Sequence, residues 1–397
     1  MKTRENKLIY IILILFYLII FLPKPIQLLL FAATAITYAA TGRKKREKDK
    51  FVEIQFLYLT IYLFSICVNM VSGEHETSRI FAAINTFVID CVAIIMYIYF
   101  KNSTDIDERI VEKTSFLNIS IINILAILSK TITAVNGIDI HGHTISGEDW
   151  IDGVQTSRFY GFMDYSNLVI FAVMFFFPYA VKYVRNKFSK ILLCILTLYA
   201  VDLTNSRSGL VLTSILIVIY ILFCEDKSIW KFINRNKVPF GILSAVILIF
   251  TLIVFHDSIN NIIQRMLNER NGSNGMRMYI YSSSMNKMLN DSPFFGIGIK
   301  DLNLDGYPYG SHSSYIGAFY KTGLIGGIIY LISMLIMDYN IALKRSADNY
   351  DLIKKIALVF CTIMMIVEDI DGANWTICIF FIYCGIYLNT ADRKVAI

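Results

Sequence analysis

Long apolar runs separated by short polar breaks set the rhythm of this chain, from "LIYIILILFYLIIF" near its start to "TICIFFIYCGIYL" near its end. Many runs hold 15–23 residues, close to the roughly 20 that an α-helix needs to span a bilayer. A segment in lipid must satisfy its own backbone hydrogen bonds, so such runs are expected to be helices. The pattern predicts about 12 of them, near 8–22, 26–40, 51–71, 80–100, 116–135, 164–181, 188–204, 209–223, 238–255, 315–337, 354–370 and 374–388. No internal repeat, low-complexity tract or Pro-rich linker interrupts them. The expected architecture is an all-α polytopic membrane protein, with 1–397 as a single membrane domain.

Composition supports this reading. Apolar residues make up 56% of the 397 positions and charged residues only 17%. A soluble chain of this length could not cover that much apolar surface with so few charges. The net charge of +6 does not point to a polynucleotide, since no soluble basic domain exists to bind one. The seven cysteines all lie in or at the ends of apolar runs. They suggest neither a disulfide framework nor a zinc site. The first run follows a basic start, as in a signal peptide, but has no small-residue cleavage site before Pro23. It is expected to stay in place as a transmembrane helix.

Lysine and arginine set the expected orientation. The break "TGRKKREKDK" at 41–50 should be cytoplasmic, and alternation then puts both termini on the same side. The segments assigned to that side hold about 26 of the 37 Lys and Arg residues. Two loops on the opposite face are long enough to carry function, 136–167 and 256–314. The larger is expected to contain two helices, "DSINNIIQRMLNER" and "NGMRMYIYSSSMNKMLN", the second capped by Ser273 or Asn274, and then a turn at "DSPFFGIGIKD".

The few basic residues of the outer face become the candidates for chemistry. Arg207 lies in "LTNSRSGL", between two short helices that would leave the turn recessed in the membrane. An arginine at that depth needs a partner and is a functional candidate by default. Arg277 falls in the expected first turn of its helix, where a guanidinium and a helix dipole together suit a phosphate. Arg158, in "TSRFYGFMDYSN", is a third. His312 stands where the large loop re-enters the membrane, and an imidazole there can take a proton from a sugar hydroxyl near neutral pH. Glu368, Asp369 and Asp371 can line the same outer cavity. Tyr309 and other loop aromatics (Trp150, Tyr160, Phe294, Phe295, Tyr307) can stack on sugars or anchor in the interface. The DxD strings at Asp105/Asp107 and Asp369/Asp371 have no nucleotide-binding fold around them, and the His141/His143 pair has no further ligands spaced about it, so no metal is assigned. Asp90 lies mid-helix and is expected to face the bundle interior in a structural hydrogen bond. No phosphate-binding glycine loop is present, so the energy for a reaction must come from an activated substrate in the membrane.

The order "SRFYGFMDYSN", "TNSRSG", "GMRMYIYSSSMNKMLNDSPFFGIG" and "SHSSYIGAFYKTGLIGGIIYL" resembles the O-antigen polymerase and ligase superfamily of Wzy-type membrane glycosyltransferases. The resemblance covers roughly 155–330 and departs from the common pattern at His312-Ser313, where many members have His-Asn. It implies a GT-C-like, metal-independent, inverting transferase that uses no cofactor. The implied donor is a glycan on undecaprenyl pyrophosphate at the outer face of a bacterial cytoplasmic membrane. Arg207 and Arg277 would clamp the pyrophosphate, His312 would activate the acceptor hydroxyl, and Arg158 would support the donor. A capsular or surface polysaccharide repeat-unit polymerase is the leading expectation. A ligase with an envelope acceptor is the near alternative, and a non-catalytic flippase or transporter the distant one. The implied partners are the lipid-linked oligosaccharide, membrane lipids, and a chain-length regulator and flippase of the same pathway.

Overall fold

The computed structural model describes residues 14–23, some positions between 26 and 36, 48–72, 75–103, 106–151, 154–225, 271–303, 305–344, 348–370 and 376–396. The described chain is mostly helical. Its helices are α1 (Phe16–Ile20), α2 (Lys50–Ser72), α3 (Thr77–Asn102), α4 (Glu108–Thr131), α5 (Asn167–Tyr183), α6 (Lys187–Asp202) and α7 (Arg207–Tyr220), followed by α8 (Asn271–Asp291), α9 (Ser314–Leu343), α10 (Asn349–Met364) and α11 (Thr376–Ala396). Among the described residues, five helices are long and apolar enough to cross a membrane: Lys50–Val71, Thr77–Asn102, Glu108–Thr131, Arg207–Cys224 and Ser314–Leu343. The expected spans at 26–40 and 238–255 lie largely or wholly outside the described residues, so the structure does not supply a count of twelve.

The shorter apolar helices hold the centre. Every residue of α5 from Asn167 to Val181 is buried, and α11 is buried throughout 376–391. A helix that is apolar on all sides has no face for water and must be enclosed. The five longer helices surround them and keep large apolar side chains exposed, such as Phe81 at 68% and Leu335 at 58%, a surface suited to lipid. α3 packs along α11, α4 and α10 along α5, and α9 along α2.

Loop 136–167 is more ordered than a long connector. It folds into two antiparallel hairpins, β1 (Asp139–Ile140) with β2 (His143–Thr144), and β3 (Ser146–Ile151) with β4 (Val154–Phe159). Within the large loop, α8 is already helical at Asn271. That overturns the expected cap at Ser273 or Asn274 and moves Arg277 from the first turn to the second, where helix-dipole effects have fallen away. The first expected helix of this loop, at 257–270, lies outside the described residues.

α9 is broken in its apolar stretch. Gly323 has φ 66° and ψ −166°, which no helix accepts. The "PFFGIG" turn inserts its backbone at the break. Ile297 N–H donates to Tyr320 O at 3.0 Å, Gly298 N–H to Lys321 O at 2.9 Å, and Leu324 N–H to Pro293 O at 2.8 Å. The groups released by the broken helix are therefore satisfied by the same chain, as an apolar surrounding demands. Only glycine fits on either side. A Cβ on Gly296 would lie 2.3 Å from Gly323 N, and one on Gly323 would lie 2.4 Å from Phe294 O. Gly323 thus makes the break. Ser65 on α2 seals the turn by donating to Gly296 O at 3.0 Å.

Salt bridges fix the other end of the core. Lys182 Nζ at the end of α5 reaches Glu108 Oε1 at 2.9 Å and Glu112 Oε1 at 3.2 Å on α4. Lys354 on α10 reaches the same Glu108 and also Asp351 at 3.3 Å.

Gly296→Ala and Gly323→Ala should each cost on the order of 3 kcal/mol or more, from forced positive φ plus overpacking. Thermal melting of the detergent-purified protein checks this. Gly275→Ala, which meets nothing within 4 Å, should melt as the wild type does.

Candidate active site

At the opposite end of α5 from Lys182, polar groups from five segments converge. The hairpin supplies the first. Phe159 N–H donates to Leu203 O at 2.9 Å, docking β4 on the turn before α7. Arg158 Nε then donates to Thr204 O at 2.8 Å, and its Nη2 to Asn167 Oδ1 at 3.4 Å. Arg207 begins α7 three residues after that carbonyl, behind its cap Ser206, and is half-buried.

Asn167, the first residue of α5, passes the chain of contacts on. Its amide donates to Glu368 Oε1, and the same oxygen accepts Arg277 Nη2 from α8 at 2.8 Å. Glu368 is 3% exposed, so its charge depends on these donors. One turn further along α8, on the same face, Tyr281 donates its hydroxyl to His312 O at 2.6 Å. Burial pushes the Tyr281 hydroxyl up to about 12, so it stays protonated and remains a donor.

His312 itself adopts φ 62°, a left-handed conformation rare for a side chain of its size. Its neighbours on the chain are both held. Ser313 caps α9 by accepting from Ile316 N–H, and Ser314 is bound through its N–H and its hydroxyl to the turn after α10. Ser314 N–H reaches Met365 O and Glu368 O, its hydroxyl donates to Glu368 O at 3.2 Å, and Ile370 N–H donates to that hydroxyl at 3.0 Å. Burial first, then the nearby charges of Arg277 and Lys300, push the imidazole down to about 4. At neutral pH it is therefore an uncharged ring, able to accept a proton, beside two fixed cations.

The sequence had extended the helix of α10 to 370. It ends at Met364, and the turn that follows carries Glu368 and Asp369 into the cluster. Asp369 Oδ2 lies 2.6 Å from Lys300 Nζ, and Tyr165 donates to the Asp369 carbonyl. Sequence reasoning missed Asn167 and Lys300. Asn167 closes the quoted "SRFYGFMDYSN" without having been singled out, and Lys300 ends the "GIGIK" turn on a face poor in basic residues, a scarcity that was a usable signal. Tyr309 lies beside the cluster, with its ring stacked on Tyr320 at 5.5 Å and an interplanar angle of 11°. The Tyr160 ring covers Gly147, Phe295 meets Phe64 at 5.1 Å, and Phe294 is 61% exposed. His143 Nδ1 lies 3.4 Å from Asp164 Oδ1. Asp107 is the cap of α4. Asp90 is buried in α3, and Asp105 and Asp371 lie outside the described residues.

A family model described as O-antigen ligase matches residues 192–331. Over that stretch the chain is similar to the O-antigen ligase family. The stretch shared with the family runs from α6 into α9, so it contains Arg207, Arg277, Lys300 and His312. Arg158, Asn167, Glu368 and Asp369 lie outside it and complete the cluster from both flanks. No curated protein matches the chain. A solved structure described as "Structural coordination of polymerization and crosslinking by a peptidoglycan synthase complex" contains a chain that is 9% identical. The likeness has a TM-score of 0.41 and covers 86% of this chain and 97% of that one; similarity of that size carries no argument.

Arg277 and Glu368 are unequally exposed, at 29% and 3%. Arg277→Ala strands a buried carboxylate and should destabilise the protein by about 3–5 kcal/mol. Glu368→Gln leaves a neutral amide at the buried end and should cost less. Combining Arg277→Ala with Glu368→Gln should recover part of the loss, which denaturation of the three variants in detergent would measure.

Proposed function

We propose that the protein is a glycosyltransferase that joins oligosaccharide repeat units carried on undecaprenyl pyrophosphate into a capsular or surface polysaccharide. The observation that carries this reading is a neutral imidazole, His312, set beside the cations Arg277 and Lys300 within the stretch shared with the O-antigen ligase family. In the proposed step the acceptor hydroxyl oxygen attacks the anomeric carbon of the donor, with inversion. Its proton passes to the His312 imidazole. The bond from that carbon to the diphosphate breaks, and the electron pair leaves with the diphosphate. Charge grows on the leaving group, where guanidinium groups held in place beforehand stabilise it most. Arg277 and Arg207 are assigned that role, Arg158 supports the donor, and Glu368, Asp369 and Tyr309 border the substrate.

The approach of an anionic diphosphate raises the proton affinity of His312 towards the range useful to a general base. We place the reaction on the extracytoplasmic side of a bacterial cytoplasmic membrane, with both termini on the cytoplasmic side. A flippase would supply the donor there, and a chain-length regulator would act on the product.

The description of the matched family favours a second reading, transfer of the same glycan to an envelope acceptor by a ligase. A broken helix is also a feature of transporters, but the break in α9 is filled by the protein's own turn. Reconstitution of the full chain in liposomes with an undecaprenyl-pyrophosphate-linked repeat separates these. Polymer formed from that substrate alone supports a polymerase; product formed only after an envelope acceptor is added supports a ligase; movement without bond formation supports a transporter.

His312→Ala should lower kcat by about 10²–10⁴ while melting within a few degrees of the wild type. The kcat/KM profile, which reports free-enzyme groups, should keep its acid limb well below 6.5, approaching about 4.

A further inference from the structure

Two carboxylates from neighbouring positions of one turn hold two cations from different elements. Glu368 holds Arg277 at 2.8 Å, and Asp369 holds Lys300 at 2.6 Å. The turn itself does not yield, because Ser314 bonds it at Met365, Glu368 and Ile370. Lys300 is placed with equal care. A Cβ on Gly317, in the first turn of α9, would lie 3.2 Å from Lys300 Nζ and 3.6 Å from its Cε. The nearest atom to that Cβ would be Gly310 O at 2.7 Å, with the Lys300 ammonium next, so Lys300 lies against the start of α9, five residues along the chain from His312. Lys300 is 20% exposed and Asp369 11%, so the pair is enclosed without being sealed.

Glu368 and Asp369 present two linked negative groups to two separate cations, and a diphosphate has the same pattern of charge. We infer that Lys300 is a further donor-binding residue, which with Arg277 spans the two phosphate groups of the donor beside His312. Glu368 and Asp369 hold the two cations in register while the donor is absent. This rests on the reading of the protein as a transferase with a diphosphate-linked donor. Lysine suits the role because an ammonium is a compact point charge that can leave one anion for another without a fixed fork geometry. The charges that act on His312 are Arg277 from α8 and Lys300 from the turn; Tyr281 from α8 binds its carbonyl, and Glu368 and Asp369 from the segment after α10 hold the two cations.

The test uses the full-length protein in liposomes with the undecaprenyl-pyrophosphate-linked repeat, and inorganic pyrophosphate as an inhibitor and direct ligand. Lys300→Gln should raise the donor KM and the pyrophosphate inhibition constant tenfold or more, with a smaller change in kcat. Lys300→Arg should restore most of both. Losing the neighbouring positive charge should also move the acid limb of kcat/KM to higher pH in Lys300→Gln and not in Lys300→Arg. A purely structural role would lower the yield of folded protein and leave the KM and the acid limb unchanged, which overturns the inference.

Should Lys300→Gln fail to fold, Asp369→Asn decides. Removing the competing carboxylate should tighten pyrophosphate binding severalfold by calorimetry on the detergent-purified protein, and unchanged binding overturns the proposal. Wild-type behaviour of Lys300→Gln alongside inactive His312→Ala and Arg277→Ala defeats only this inference. Full activity of His312→Ala and Arg277→Ala defeats the transferase reading beneath it.

Discussion

The exchange of backbone hydrogen bonds at the break in α9 is the constraint on which the rest of the structure depends. A helix interrupted in an apolar surrounding exposes donors and acceptors that lipid cannot satisfy. Here the turn at 293–298 supplies the missing partners at Tyr320, Lys321 and Leu324. It can approach because Gly296 and Gly323 carry no side chains at the crossing. Once the turn is docked, much else follows. α8 must end just before it, Lys300 must emerge just after it, and the chain must return to begin α9 at Ser314. Arg277, Lys300 and His312 reach one region because a single backbone insertion fixes all three approaches.

The second level of order is electrostatic. Cations gathered near one another repel, and they stay in place without a ligand only if counter-charges hold them. Glu368 and Asp369 do this for Arg277 and Lys300, and Asn167 extends the same oxygen of Glu368 to Arg158. A carboxylate as deeply buried as Glu368 would be costly alone. Its cost is offset by donors from α5 and α8, which ties the position of two helices to the geometry of the cluster. The salt bridges around Glu108, Lys182 and Lys354 fix the far ends of α5 and α10. The ends of α5 that carry Asn167 and Lys182 are about 22 Å apart at 1.5 Å per residue. The core helices are thus pinned by charge at both ends and held by apolar packing between.

Much of this fold was legible because lipid makes a sequence simple to read. The apolar runs at 51–71, 80–100, 188–204 and 315–337 all appear as helices within a few residues of their expected bounds. What escaped was governed by tertiary contacts. Gly323 sits inside a stretch that reads as one helix, and only the docked turn reveals it as a break. The end of α10 at Met364 depends on Ser314 binding the segment that follows. The hairpin of β3 and β4 had a local signal, Asp152-Gly153 between two polar-apolar stretches, of the type that favours a two-residue turn. Arg158 and Arg277 were singled out from scarcity of basic residues on one face, and Glu368 and Asp369 from their place at the outer end of an expected helix; their contacts form one network. Asn167 was invisible by that criterion, because an uncharged amide at a helix start has an ordinary structural explanation until its two partners are known.

The arrangement also bears on which molecules the site can accept. Two of the cations are already neutralised by carboxylates fixed to a rigid turn, so a weakly charged ligand gains little by displacing them. An anion must offer at least comparable charge at two linked positions to compete. Specificity for the proposed diphosphate donor then comes as much from the resident carboxylates as from the cations, since they set the threshold a ligand must exceed. In the proposed reaction the same carboxylates would favour departure: after sugar transfer they would compete with the released diphosphate for Arg277 and Lys300. A site built from cations alone would bind the donor more tightly and hold the product longer. Tight binding of donor and product alike does not raise turnover, and that gives the paired carboxylates beside His312 a physical reason to be there.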